Sequence, residues 1–190
     1  MAANARLTAT TAAVLLLLFL AELATVVYGV RSALTVHVTV GLLLGPPVVL
    51  KIASTGYRLV QYYRHVPEYR EKGPPAAGMR VLAPFLVLLT VGLLGSGLGL
   101  VAGPSGWHPD LLAVHKVSFY LWLVVVVTHT VARLPEVVRI LRHRPNIQTR
   151  RPRHRPPGWV AVGASLVLGG ALALALAGRT AQYLHLYPYK

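Results

Sequence analysis

The chain has 190 residues, of which 55% are hydrophobic and 13% charged, with 19 Lys and Arg against 5 Asp and Glu for a formal net charge of +14. Soluble domains carry about a quarter charged residues, so a soluble globular fold is excluded. The absence of cysteine also excludes disulfides, thioether-attached haem and cysteine-bound iron–sulfur clusters, leaving histidine, methionine or packing to hold any redox group.

Five apolar runs approach the ~20 residues that cross a bilayer as helix, at 10–30, 34–61, 79–102, 109–132 and 159–177. The first follows Arg6 and contains Glu22. It is long for a signal peptide, and Val30-Arg31-Ser32-Ala33 is a poor cleavage site, so a retained helix is expected. The second carries His37, Pro46, Pro47 and Lys51. Its prolines remove helical donors and predict a kink whose freed carbonyls need partners. The third carries Gly92, Gly95, Gly97 and Gly99, suited to close helix packing or to a thin wall beside a flat ligand. The fourth carries His115 and His129, with Phe119, Tyr120 and Trp122 available to line a pocket. A basic, Pro-rich linker at 143–158 precedes the fifth run, and an aromatic tail at 182–190 is expected on the outer surface. Trp107, Trp159, Tyr28, Tyr57, Tyr62 and Tyr63 fall near span ends, where amphipathic rings mark the interface. The expected fold is one all-α integral membrane bundle of about five helices, antiparallel where turns are short.

The cations sit between spans. Arg64, Arg70, Lys72 and Arg80 fill one loop, and Arg133, Arg139, Arg142, Arg144, Arg150, Arg151, Arg153 and Arg155 another. The turns near Arg31 and at 103–110 are nearly free of them. This positive-inside pattern predicts cytoplasmic basic loops, an N-terminus inside and a C-terminus outside. Anionic lipid headgroups are the expected partners of such loops, rather than nucleic acid.

Ionisable residues at membrane depth are functional candidates. His37 and His115 open helices that both enter from outside, so they share an outer level. Two helices presenting imidazoles at one level can clamp a haem b iron, which needs axial nitrogens and an apolar slot. His129 lies fourteen residues after His115, close to four turns and roughly 21 Å, so both share a face. The same step from His37 reaches Lys51. Lys51 either snorkels to the cytoplasmic interface or pairs with Glu22, a haem propionate or a quinone oxygen. Glu22 is a candidate packing, ion-pair or proton-carrying residue. His129 is a candidate haem ligand, quinone-site or proton-relay group, or a structural helix–helix hydrogen-bonding residue. His65, His108, His143, His154 and His185 are expected to be solvated in loops or tails. One haem is expected, at the outer level, and a second only if His129 finds a partner ligand.

The run His37-Val38-Thr39-Val40-Gly41 through Pro46-Pro47 to Lys51, with His115-Lys116-Val117-Ser118-Phe119, Trp122 and His129, resembles the small bacterial cytochrome b561-type membrane proteins, including the cytochrome b/b6-like and hydrogenase- or formate-dehydrogenase-associated b-haem subunits. The likeness covers roughly 34–132. It implies a four-helix haem-binding core, with His37 and His115 as ligands of one haem b and His129 as one ligand of a second. It departs from that pattern at Lys51, where a fourth histidine would stand. The implied role is plasma-membrane electron transfer between quinone or quinol and a partner oxidoreductase, as a subunit rather than a stand-alone enzyme. The rival expectation is a non-redox membrane protein, either a small transporter or an anchor or assembly subunit, in which His37, Lys51, Glu22 and His129 line a proton or ion path.

Overall fold

The computed structural model describes residues 2–70, 77–142 and 158–186. The described residues are helical apart from short turns, with no strand among them. The long helices are α1 (Ala2–Gly29), α2 (Leu34–Tyr63), α4 (Ala77–Ala102), α5 (His108–Arg142) and α6 (Gly158–Ala175). All five are long and apolar enough to cross a bilayer, compatible with a multi-pass membrane bundle. Two shorter helices, α3 (Pro67–Arg70) and α7 (Ala177–Leu186), follow α2 and α6.

Most of the linker at 143–158, Lys72 and the last four residues of the tail lie outside the described residues. Two boundaries differ from expectation. Helix α5 continues ten residues beyond 132, running through Pro135 to Arg142. The fifth run stops at Ala175 rather than 177 and passes into α7. The hydrogen-bond ladder persists across the break, with the Leu176 and Thr180 N–H groups donating to Leu172 and Leu176. Polarity changes there, since α7 carries Arg179, Thr180 and Gln182.

The surface is apolar and the interior is rich in small polar groups, the reverse of a soluble domain. Val27 and Leu174 are each 80% exposed, whereas Thr11 is completely buried and Thr8, Ser54, Thr90, Ser96 and Ser165 are nearly so. Helices in lipid associate through close packing and interhelical hydrogen bonds, not through hydrophobic collapse. Trp122 Nε1 donates to Thr90 Oγ1 at 3.0 Å across α4 and α5. Trp107, Trp159 and Tyr28 are exposed at helix ends, as expected of interfacial rings.

Helix α2 runs through Pro46 and Pro47 as one element. Pro47 has no N–H for the carbonyl of Leu43, four residues earlier. Helix α6 closes on that place: a methyl built on Gly169 would lie 2.6 Å from the Leu43 oxygen and 3.0 Å from its Cα. The Cα–H groups of Gly169 therefore meet a carbonyl that lacks its helical donor. Gly158, at the start of α6, approaches the Leu7 backbone, where a methyl would lie 3.1 Å from its Cα. Val162, Ser165 and Gly169 are the buried residues of α6, and with Gly158 they form one stripe of mostly small side chains at helical spacing.

Two packed groups result, α1 with α2 and α6, and α4 with α5. Between them lies a cleft lined by α1, α2, α4 and α5. The end of the bundle where α1 and α4 finish and α2 and α5 begin is called upper below.

Candidate functional site

The cleft encloses a cavity of about 290 Å³ near the upper end, close to the lower limit of about 300 Å³ for ligand pockets. Its walls are overwhelmingly apolar, with Phe19, Phe119 and Trp122 among them, and its polar side chains include His37, His115 and Glu22. Phe19 meets Trp122 edge-on at 4.8 Å, joining the two halves of the bundle. Tyr120, two-thirds exposed, faces away from the core.

His37 and His115 come together across the cleft. Their ring centroids are 6.2 Å apart and their planes stand at 87°. They arrive from separate helices, His37 three residues after the start of α2 and His115 seven after the start of α5, so the shared level expected from sequence is what the fold produces.

Hydrogen bonding fixes which nitrogen of each ring carries the proton. Thr25 Oγ1 donates its only proton to the Glu22 carbonyl at 2.6 Å. It must therefore accept from His37 Nδ1, 2.9 Å away. Glu22 Oε1 lies 3.0 Å from the same nitrogen and also accepts. On the other side, His115 Nδ1 lies 3.0 Å from the Leu93 carbonyl, an acceptor only. Ser96 Oγ, 3.2 Å from that nitrogen, gives its own proton to the Gly92 carbonyl at 2.6 Å. Both rings thus hold hydrogen at Nδ1, and each Nε2 keeps a lone pair. These groups are contributed by α1 to His37 and by α4 to His115, so all four cleft helices orient the pair.

Glycines make room for the imidazoles and their supports. A methyl on Gly97 would sit 3.1 Å from the His115 ring, and one on Gly41, a turn after His37, 3.5 Å from Glu22 Oε1. Gly92 and Gly99 meet Ser118 and Leu111 of α5, whereas Gly95 has nothing within 4 Å. Of Gly92, Gly95, Gly97 and Gly99, three therefore serve the contact with α5, and Gly97 does so by seating a histidine.

The remaining candidates are elsewhere. Lys51 lies fourteen residues along α2 from His37, a rise of roughly 21 Å. Its ammonium donates to the Thr8 carbonyl at 2.8 Å, where Ser54 and Thr8 also meet. Glu22 is paired with His37 and not with Lys51. His129 Nδ1 is buried without a hydrogen-bond partner among the described residues, and no second imidazole stacks against it there. His65 follows α2 in a left-handed conformation, φ 61°. His108, expected to be solvated, instead opens α5 with Nε2 3.1 Å from the Tyr183 hydroxyl.

That contact belongs to a region the sequence reading did not single out. Helix α7 buries Thr180 and Tyr183, and Arg179 Nη1 donates to the Ala102 carbonyl at the end of α4 at 3.0 Å. The signal was the spacing of Leu176, Thr180 and Tyr183, one face of a helix that runs from the end of the fifth span into the tail expected on the surface.

Among the described residues no cluster of three or more His, Cys, Asp or Glu side chains is close enough to hold a metal ion. The donor set in the cleft is two imidazoles. Comparison with protein-family models, with curated proteins and with solved structures finds no match.

Proposed function

We propose that this protein binds one haem b between His37 and His115 and carries electrons within the plasma membrane, between the quinone pool and a partner oxidoreductase. The observation that carries the reading is the imidazole pair, with both Nδ1 positions anchored and both rings lining one apolar cavity. Imidazole nitrogens bind first-row metals at about 2.0–2.1 Å, so two rings on opposite sides of one metal have centroids about 6.3 Å apart. The observed 6.2 Å separation agrees. Two protein donors suit a metal whose other ligands travel with it in a macrocycle, and the glycines at 41 and 97 keep bulk away from the rings.

When bound, haem b supplies a reversible one-electron iron couple. His37 and His115 would be the residues that hold its iron. Glu22 and Thr25 hold His37 in its tautomer, and the Leu93 carbonyl and Ser96 do the same for His115. Phe19, Phe119, Trp122 and the aliphatic walls exclude water. His129 and Lys51 are assigned away from this haem, His129 as a candidate quinone-site or proton-relay group. The basic loops support an orientation with the N-terminus in the cytoplasm and the C-terminus outside, and anionic lipids as their partners.

The full-length protein purified in detergent should be red, with a reducible Soret and alpha band and close to one haem per polypeptide. A colourless pure protein would overturn the reading in favour of a non-redox transporter or anchor. A reporter fused after Arg144 should report cytoplasm and one at Lys190 the outside; the same side for both would remove the proposed orientation.

A further inference from the structure

Directly above the apolar cavity lies a second, polar one of about 420 Å³, lined by the upper end of α4, the following turn, His108 and one face of α7. The two are contiguous, since Leu100, Val101 and Tyr183 line both. The polar cavity holds a cation, Arg179, with Gln182 and His108 beside it. Arg179 makes one hydrogen bond among the described residues, to the Ala102 carbonyl, and has no acidic partner among them. A guanidinium carries five N–H donors, so most of its donors face the cavity or solvent.

Resting on the haem reading above, we infer that this upper cavity is a carboxylate site, in which Arg179 and His108 hold the propionates of the macrocycle clamped between His37 and His115. A ligand with an apolar body and one acidic edge matches an apolar cavity that opens into a polar, cationic one. Depth agrees: His108 stands seven residues before His115 on α5, a rise of roughly 10.5 Å, with the polar cavity on the side away from Lys51. Among the described residues that line the apolar cavity there is no Lys or Arg. Lys51 lies roughly 21 Å along α2 from His37 and is held on Thr8, and the Glu22 carboxylate beside His37 disfavours a second carboxylate. Arginine also caps the carboxyl end of α4 through Ala102, where a cation is favoured by the helix dipole, so one side chain would lock α7 onto α4 and meet the ligand.

The test compares haem b with its dimethyl ester, which keeps the iron and ring but lacks both carboxylates. Full-length protein in membranes from haem-deficient cells is titrated with each, following the low-spin Soret band. Wild type should prefer haem b by about tenfold or more, the scale of a charge-assisted hydrogen bond. Arg179→Gln should lose most of that preference while keeping the low-spin spectrum, Arg179→Lys should restore part of it, and Lys51→Gln should leave it unchanged. An undiminished preference in Arg179→Gln, or none in wild type, would overturn the carboxylate site and leave the imidazole clamp standing. Failure of wild type to bind either compound would overturn both.

Discussion

His115 and His129 share a helix and a face yet meet opposite surroundings. At the upper level, α2 supplies His37, α1 supplies Glu22 and Thr25, and α4 supplies the Leu93 carbonyl and Ser96. At the lower level, α2 supplies Lys51, which is turned to α1 through the Thr8 carbonyl, and His129 Nδ1 is buried without a hydrogen-bond partner among the described residues. The contrast shows that a histidine repeat along one helix does not by itself make two equivalent sites. A ligand pair needs a second imidazole and, for each ring, an acceptor that fixes the tautomer.

The most severe break in this comparison is removal of a ring. His37→Ala and His115→Ala should each abolish the low-spin haem spectrum, whereas His129→Ala should keep most of the absorbance and slow electron exchange with quinone. Two haems per wild-type chain, one of them lost in His129→Ala, would make the two levels equivalent after all.

Glycine substitutions separate ring seating from general packing. Gly97→Leu intrudes where even a methyl meets the His115 ring at 3.1 Å, while Gly95→Leu enters open space. Haem content should fall at least about tenfold in the first and little in the second. Equal losses would show that the α4 glycines serve helix packing alone.

A smaller effect distinguishes the supports. Glu22→Gln should keep the haem but raise its midpoint potential by roughly 60 mV, about a tenfold change for one electron, because an anionic acceptor at Nδ1 favours the ferric iron. An unchanged potential in redox titration would reduce Glu22 to a packing residue. The smallest change belongs to the lower level. Lys51→Met removes the bond to Thr8 and should lower stability by about 1 kcal/mol, seen in thermal unfolding, with no shift in the absorption spectrum.

The spans and the pairing of His37 with His115 were legible because they depend on one-dimensional quantities, the length of apolar runs and the distance of each histidine from its helix start. The partner of Glu22 was not. Whether it meets Lys51 or His37 depends on how α1 is rotated against α2, and Gly41, which gives the carboxylate space, reads in sequence as ordinary small-residue filler. Arg179 and His108 were passed over for a related reason. Each lies at a helix end, and only the fold of α7 over α4 gathers them around one cavity. The small stripe of α6 was equally hidden, since its partner surface is a backbone carbonyl created by Pro47.

That carbonyl also sets an order of events during biogenesis. When α1 and α2 have entered the bilayer, Leu43 still exposes an oxygen that its own helix cannot satisfy. The segment that meets it, around Gly169, leaves the ribosome only after α4 and α5 have been made. That contact can close only once α6 is in place, so the last of the five long helices completes a surface that the first hairpin leaves open.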